Sequence, residues 1–123
     1  MPDVHRQSVA VVDDDDAVRD SLRCLLEAAG FSAVTFGSAR DFLSRARLAE
    51  VACVLIDQHM PHTTGIELLT HMRANLPEMP VAMMTGSPSA ELTRRAFELG
   101  AWEVLEKPLK EEVLLAFVAR AIG

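Results

Sequence analysis

Four consecutive aspartates, Asp13 to Asp16, follow the first apolar run of the chain. Neighbouring carboxylates repel one another, and each raises the pKa of the next unless a cation lies among them. A helix start needs only one capping residue, and a solvated turn needs one or two acidic residues. The run therefore predicts either a plain acidic turn or a site for a hard cation such as Mg²⁺, which prefers oxygen ligands.

Polar residues also stand at the ends of three later apolar runs. Asp57 follows VACVLI, Thr85 follows VAMM, and Lys107 comes shortly after WEVL. If these runs are parallel strands, their carboxyl ends meet at the edge of the sheet where ligands bind. Three carboxylates, with Asp13 and Asp14 included, would then converge with one hydroxyl and one ammonium. A carboxylate beside Mg²⁺ can act as a nucleophile towards phosphorus, and a lysine can pair with a phosphoryl oxygen.

The four aspartates receive separate roles in this interpretation. Asp13 and Asp14 are predicted to hold the metal, directly or through water. Asp16 is predicted to cap the first helix, and Asp15 to be solvated.

The elements that must position these residues alternate along the chain. Short apolar runs without polar alternation are typical of strands that are covered on both faces, and helical patterns separate them. This order predicts an α/β fold with a parallel sheet. The predicted strands are Ser8–Val12, Ala33–Phe36, Val51–Ile56, Val81–Met84 and Trp102–Leu105.

Helix boundaries are marked by glycine, serine and proline. Gly30 and Gly100 stand where a left-handed residue would end a helix, and Ser87-Pro88 is predicted to start the fourth helix. With 123 residues and 13.5 kDa, the chain is expected to form a single domain over residues 1–123.

Composition excludes several classes of function. The formal net charge of -6 argues against direct binding of nucleic acid or of an anionic membrane by this chain. No apolar run is long enough to span a membrane, and the N-terminus lacks the apolar stretch of a signal peptide. Cys24 and Cys53 have no metal-binding spacing and indicate a reducing compartment. We expect a cytoplasmic protein.

Four motifs taken together resemble the receiver domain of two-component response regulators, along the whole chain. They are the acidic pair in VVDDDD, the D-x-x-M-P-x-x-x-G pattern of DQHMPHTTG, the strand end MMTG, and EKP. Asp14, Asp57, Thr85 and Lys107 follow one another at intervals of 43, 28 and 22 residues. FGSARDFL resembles more narrowly the FixJ-like branch of transcriptional regulators.

The resemblance implies a flavodoxin-like (βα)5 fold, with five parallel strands in the order 2-1-3-4-5 and helices on both faces. It implies that Asp57 accepts a phosphoryl group from a sensor histidine kinase, as a signalling phosphoacceptor and not as an enzyme. Thr85 and Lys107 would contact the phosphoryl group, and the Lys107–Pro108 bond would be cis. Phosphorylation would switch a partner surface or a homodimer surface on the last two helices and strand.

The same resemblance implies the ligands of the metal. Mg²⁺ would be bound by Asp14, by Asp57 and by the backbone carbonyl of His59, and Asp13 would reach it through water.

Two positions depart from the family pattern. Val104 stands where receivers usually carry an aromatic residue that moves with the threonine, and Leu109 stands where a phenylalanine often follows the proline. Trp102 lies two residues before Val104 and is expected on the same side of the strand. These departures bear on how a signal leaves the site and leave the phosphorylation chemistry untouched.

Alternative interpretations remain open. His59 and His62 with Asp57 suggest a zinc site, although Pro61 interrupts their spacing and no third nitrogen or sulfur ligand is evident. A phosphatase of similar fold would carry a second aspartate where His59 stands, and a binding module without phosphorylation would not need all five site residues. His59 itself is either a plain surface residue or a residue at the mouth of the pocket that affects the lifetime of the phosphoryl group.

Two helix surfaces are candidates for contact with another protein. Small residues form a stripe on the first helix: Ala17, Ser21, Cys24 and Ala28. This stripe is predicted either to receive the helices of a kinase or to pack against the last helix. The segment Val113–Ala119 contains no polar residue, which predicts contact with another chain or a sheltered position within the domain.

Overall fold

Five strands alternate with five α-helices through residues 7–123, the part of the chain that the computed structural model describes. A single 3₁₀ turn, Leu48–Glu50, precedes the third strand. The strands are β1 (Ser8–Val12), β2 (Ser32–Phe36), β3 (Val51–Asp57), β4 (Val81–Thr85) and β5 (Glu103–Glu106). The helices are α1 (Asp16–Ala28), α2 (Ala39–Arg45), α3 (Gly65–Asn75), α4 (Ala90–Glu98) and α5 (Glu111–Ile122).

The strands form one parallel sheet in the order β2-β1-β3-β4-β5, which confirms the predicted topology. Val12 pairs with Ile56 on the neighbouring strand, and Asp57 pairs with Met84 on the next. This register brings the carboxyl ends of the three central strands to the same edge of the sheet. The first residues beyond β1 therefore lie beside the last residues of β3 and β4.

Each face of the sheet packs against its own set of helices. On one face, side chains of β1, β3 and β4 pack with α2, α3 and α4, whose buried members include Phe42, Leu69 and Ala96. On the other face, α1 and α5 contribute Leu26 and Phe117. Every residue of β1 and β4 is buried, as expected for strands covered on both sides.

The predicted strand limits agree with the structure to within one residue at each end. Gly30 and Gly100 have φ angles of 95° and 87°, which confirms that they follow helices in the left-handed conformation that glycine adopts most easily.

Two predicted helix caps are wrong. Asp15, and not Asp16, caps α1: its Oδ1 accepts hydrogen bonds from the amides of Ala17 and Val18, while Asp16 is the first helical residue. In a run of identical aspartates, the backbone conformation decides which residue caps the helix, and Asp15 has the extended conformation that a cap requires.

Helix α4 likewise begins two residues later than predicted. Ser89 caps it by accepting a hydrogen bond from the amide of Leu92, and the helix starts at Ala90. Ser87 belongs instead to the turn after β4, where its amide donates to Thr85 Oγ1.

The two helix surfaces singled out in the sequence differ in exposure. All four residues of the small stripe on α1 are exposed, so the stripe does not pack against α5. Helix α5 buries Leu114, Phe117 and Val118 and leaves Val113 exposed. Among residues 7–123, no helix combines the length and the apolar character needed to cross a bilayer.

Candidate functional site

Two buried carboxylates and one lysine form the centre of the site at the carboxyl edge of the sheet. Asp13 follows β1 and is fully buried, Asp57 ends β3 and is almost fully buried, and Lys107 follows β5. Lys107 Nζ lies 2.8 Å from Asp13 Oδ2 and 3.2 Å from Asp57 Oδ1. The ammonium therefore bridges two carboxylates that would otherwise face each other without compensation.

Asp14 completes an acidic cluster around this pair. One carboxylate oxygen from each of Asp13, Asp14 and Asp57 can be chosen so that all three lie within 4.8 Å of one another. Asp14 is exposed, so the cluster is open to solvent on its side. These are hard oxygen donors only, which fits Mg²⁺ and does not favour a softer transition metal.

The zinc hypothesis finds no support in this geometry. Within the described part of the chain, this acidic cluster is the one group of three or more potential metal ligands, and neither His59 nor His62 belongs to it. His62 instead occupies the loop after β3 with a positive φ of 72°, a conformation that few residues other than glycine adopt.

Asp57 is the carboxylate whose ionised form the surrounding site destabilises. Burial raises the pKa of Asp57, the negative charge of Asp13 raises it further, and Lys107 only partly offsets both effects. Burial alone would lower the pKa of Lys107, but the hydrogen bond and charge of Asp13, together with Asp57, place it above its ordinary value. The cluster therefore carries an excess of negative charge that a divalent cation would relieve.

Thr85 ends β4 and is fully buried next to this centre. Its Oγ1 accepts a hydrogen bond from the amide of Ser87 at 3.0 Å and lies 3.2 Å from His59 Nε2. The backbone amide of His59 lies 3.4 Å from Asp57 Oδ1. The structure thus brings together the side chains predicted for the site from four separate segments, with His59 at its exposed margin.

Arg19 is a site residue that sequence reasoning missed. Its Nη1 donates a hydrogen bond to the backbone carbonyl of Asp13 at 2.6 Å, and its Nη2 pairs with Asp16. The guanidinium therefore fixes the backbone of the acidic loop and supplies a positive charge beside it. An arginine three residues beyond the last aspartate of the run, at i,i+3 spacing on the same helix, was the signal that could have revealed it.

Gln58 and Gly65 hold the start of α3 against the end of β3. Gln58 Oε1 accepts a hydrogen bond from the amide of Ile66, and the amide of Gly65 donates to the carbonyl of Gln58. A Cβ atom on Gly65 would lie 2.6 Å from Met83 Sδ and 2.8 Å from the carbonyl oxygen of Asp57. Only glycine allows this approach, which explains why the D-x-x-M-P-x-x-x-G pattern ends where it does.

The loop after β5 has the backbone that the resemblance implies. The Lys107–Pro108 peptide bond is cis, and the amide of Lys107 donates to the carbonyl of Thr85 at 2.8 Å. This hydrogen bond aligns the lysine with the end of β4.

Trp102 does not lie on the same side as Val104, so that expectation is wrong. β5 begins at Glu103, and Trp102 lies in the turn before it, where strand alternation does not apply. Trp102 packs edge-to-face on Phe117 of α5, while Val104 packs into the core on the face of α3 and α4. The indole ring therefore does not substitute for the aromatic residue that Val104 replaces.

Comparison with known proteins agrees with this geometry. Residues 9–119 match the family of response regulator receiver domains. The transcriptional regulatory protein FixJ of Bradyrhizobium diazoefficiens is 41% identical over 114 residues, which cover 93% of this chain and 56% of that protein. The chain thus spans about half the length of the curated relatives that it matches.

Solved structures show the same fold. The crystal structure of FixJ-N superposes with a TM-score of 0.84 at 30% identity and covers 94% of this chain and 93% of the other. The chemotaxis protein CheY4 of Vibrio cholerae superposes with a TM-score of 0.85 at 29% identity, covering 94% of this chain and 98% of the other. The chain is therefore a member of the response regulator receiver domain family and is similar to its FixJ branch.

Proposed function

We propose that Asp57 accepts a phosphoryl group from a phosphohistidine of a sensor histidine kinase. The observation that carries the proposal is the buried position of Asp57 at a strand end, 3.2 Å from the Lys107 ammonium and beside a second buried carboxylate. A carboxylate oxygen of Asp57 would form a bond to phosphorus as the bond from phosphorus to the kinase imidazole nitrogen breaks. The imidazole leaves with its electron pair, and the product is an acyl phosphate.

The side chains around Asp57 would position the group and neutralise its charge, which is most of what a protein contributes to phosphoryl transfer. Lys107 is proposed to pair with one phosphoryl oxygen, and its raised pKa keeps it charged at neutral pH. The Thr85 hydroxyl is proposed to donate a hydrogen bond to a second oxygen. The protein would act as a signalling phosphoacceptor without sustained turnover.

Mg²⁺ is proposed as the cofactor, held by Asp14, Asp57 and the backbone carbonyl of His59, with Asp13 reaching it through water. The three clustered carboxylates support a cation at this position, and the pKa of Asp57, raised by burial and by the charge of Asp13, fits a cation among them. When bound, the ion would neutralise charge on the phosphoryl oxygens and on the carboxylates.

Intact-mass measurement after incubation with acetyl phosphate tests the proposal. We expect the mass of one phosphoryl group to be added in the presence of Mg²⁺, not in the presence of a chelator, and not in the Asp57→Asn variant. A gain that persists in the variant would place the phosphoacceptor elsewhere, and no gain under any condition would favour a binding module without phosphorylation.

The kinase is proposed to dock beside the small stripe of α1. A groove of about 570 Å³ lies between α1 and the segment after β5, with Ala17 and Ser21 on one side and Pro108 and Leu109 on the other. It opens next to Lys107, so a helix seated there would present a phosphohistidine to the site. The exposure of the stripe supports docking over internal packing.

A Ser21→Phe variant separates docking from chemistry. It is expected to slow transfer from the kinase while leaving phosphorylation by acetyl phosphate unchanged. Ser44→Phe, at an exposed position on α2, provides the matched control. Equal loss with both phosphodonors would reject docking on this stripe.

The output is proposed to run through the surface of α4, β5 and α5, as a homodimer or as contact with another module. Phe97, Trp102 and Val113 supply its exposed apolar side chains, at 48%, 40% and 41% exposure. Control of transcription is proposed because relatives of this chain are transcriptional regulators. The net charge of -6 argues against direct contact between this chain and nucleic acid. This role would place the protein in the cytoplasm.

A further inference from the structure

The hydroxyl of Thr85 already has two hydrogen-bonding partners, and Asp57, the proposed phosphoacceptor, is not one of them. The Ser87 amide donates to it from the following turn, and the His59 ring contacts it through Nε2 at 3.2 Å. Among the described residues, the Thr85 side chain makes no hydrogen bond to Asp13, Asp57 or Lys107. Donation of the hydroxyl proton to a phosphoryl group on Asp57 would therefore compete with donation to His59.

The contact with His59 competes with a phosphoryl group when the Thr85 hydroxyl is the donor. A threonine hydroxyl has one proton and two lone pairs, and the Ser87 amide occupies one lone pair. If the hydroxyl donates to Nε2, its only proton is engaged by the ring. If Nε2 donates instead, both lone pairs are filled. In the first arrangement, donation of this proton to a phosphoryl oxygen breaks the contact with His59; in the second, the proton stays free.

We propose that His59 Nε2 accepts the Thr85 hydroxyl proton, so that His59 is a positioning residue that latches Thr85 in its unphosphorylated orientation. This inference rests on the proposed function, because it concerns the hydroxyl assigned there to the phosphoryl group. Phosphorylation of Asp57 has to replace the hydrogen bond between His59 and Thr85 by one between Thr85 and a phosphoryl oxygen. The ring therefore lowers the population of the active orientation, and removing its nitrogen shifts the equilibrium towards that state.

The location of His59 makes it suited to this task. The ring is exposed, while its partner Thr85 is fully buried at the end of β4. A solvent-exposed ring can swing away without opening a cavity, whereas the threonine backbone is held by pairing within the sheet and by the hydrogen bond from the Lys107 amide. The latch thus opens by motion of a surface side chain.

Three variants separate the hydrogen bond from other effects of the ring. His59→Phe keeps a ring of similar size and removes the nitrogen, so access to the pocket changes little. His59→Gln places an amide near the position of Nε2 and is expected to preserve the contact. His62→Asn is the matched control, because it removes another exposed histidine of the same loop with a residue that tolerates its positive φ.

The experiment measures Thr85 in the full chain by its methyl NMR signal, first alone and then during titration with beryllium fluoride in the presence of Mg²⁺. Beryllium fluoride is the probe because it imitates a phosphoryl group on a carboxylate. We expect His59→Phe to move the methyl signal of the free protein towards its position in the bound state. The same variant is expected to bind the probe about two- to tenfold more tightly, as one net hydrogen bond predicts.

His59→Gln and His62→Asn are expected to match the wild type in both measurements. Unchanged signal and affinity in His59→Phe would overturn the latch while the wild type still binds the probe through Asp57. Equal shifts in His62→Asn would also overturn it, because the effect would then belong to the loop and not to the contact. Failure of the wild type itself to bind the probe would instead overturn the proposed function, and the latch with it.

Discussion

Asp57 is a buried carboxylate whose ionisation works against folding. Its pKa lies above the ordinary value because of burial and of the negative charge of Asp13. A group with a raised pKa in the folded state contributes fully at pH values below its unfolded pKa and loses that contribution as the pH rises through the folded value. The folded protein without metal is therefore less stable at neutral pH than it would be with a neutral group at this position.

Asp57→Asn is accordingly expected to raise the free energy of unfolding at pH 7 in the absence of divalent cations. The amide has nearly the same shape and carries no charge, and Lys107 keeps its contact with Asp13 at 2.8 Å. Urea unfolding at pH 7 and at pH 3.5 checks this. The advantage of the variant should shrink at the lower pH, where the aspartate is protonated in the unfolded state, and a larger advantage there would contradict the expectation.

Single residues show how far sequence reasoning reached at the site. Asp13, Asp14, Asp57, Thr85 and Lys107 were predictable, because parallel strands bring their carboxyl ends together and these residues stand at the ends. The partners of these residues were not. The Thr85 hydroxyl, for example, contacts His59 as its second hydrogen-bonding partner. That contact depends on the path of an irregular loop, and no sequence periodicity specifies such a path.

At the scale of elements, two neighbouring aspartates at the start of α1 have different roles. Asp15 accepts hydrogen bonds from two amides of the first turn, whereas exposed Asp16 pairs with Arg19 on the helix surface. A cap satisfies backbone donors that have no other partner, while a surface ion pair is largely screened by water.

Asp15→Ala should therefore cost more stability than Asp16→Ala. We expect a loss of about 1 kcal/mol in the free energy of unfolding for the first, and about 0.5 kcal/mol or less for the second. Chemical denaturation of both variants measures the difference. Equal losses would contradict the assignment of the cap.

Arg73 joins three elements through backbone carbonyls alone. From α3 its guanidinium donates to Leu99 O and Leu76 O, each at 2.7 Å, to Met79 O at 2.8 Å and to Gly100 O at 3.1 Å. These acceptors lie at the end of α3, in the segment before β4 and in the turn between α4 and β5. The side chain thereby fixes the position of α4 relative to α3.

Arg73→Met is expected to lower the free energy of unfolding by roughly 2 kcal/mol, because several partly buried carbonyls lose a charged donor at once. Arg73→Lys should recover only part of the loss, since one ammonium cannot reproduce the planar fork. Arg94→Met is the control, because Arg94 has one exposed partner, Glu98. Thermal and urea unfolding report the order, and a lysine variant as stable as the wild type would refute it.

Sequence patterns predicted the positions of the strands but not all of the side-chain contacts between elements. Apolar runs and glycines located all five strands to within a residue, and the signal is continuous in β1, β3 and β4 because these strands are buried on both faces. The start of β5 differed by one residue, and that shift was enough to place Trp102 in a turn and its ring against Phe117. Arg73 escaped notice because a charged residue on a helix reads as a surface residue unless the facing carbonyls are known.

For the whole molecule, a divalent cation should act as a stabilising ligand. Binding to the folded state alone raises stability by an amount that grows with the logarithm of ligand concentration, about 2.7 kcal/mol at a hundredfold excess over Kd. Because the ligands are carboxylates, the gain requires them to be ionised. Stability at neutral pH is therefore coupled to the charge of the site and not only to the core.

We expect MgCl₂ to raise Tm at pH 7 relative to NaCl of equal ionic strength. The increase should be smaller in Asp57→Asn, which has lost one carboxylate of the cluster, and should vanish near pH 3.5. Differential scanning calorimetry provides the measurement. An equal increase in the variant and the wild type would show that the ion binds elsewhere.

The two thiols of the chain differ in exposure, so one of them is available for covalent labelling. Burial raises the pKa of Cys53 to about 12, so at neutral pH this thiol stays protonated and shielded. Cys24 is exposed on α1, in the same stripe that borders the groove near Lys107. Because Cys24 is exposed and Cys53 is buried, a single fluorophore can be placed at Cys24 of the unaltered protein. A dye at that position would report by its emission when another protein covers the stripe.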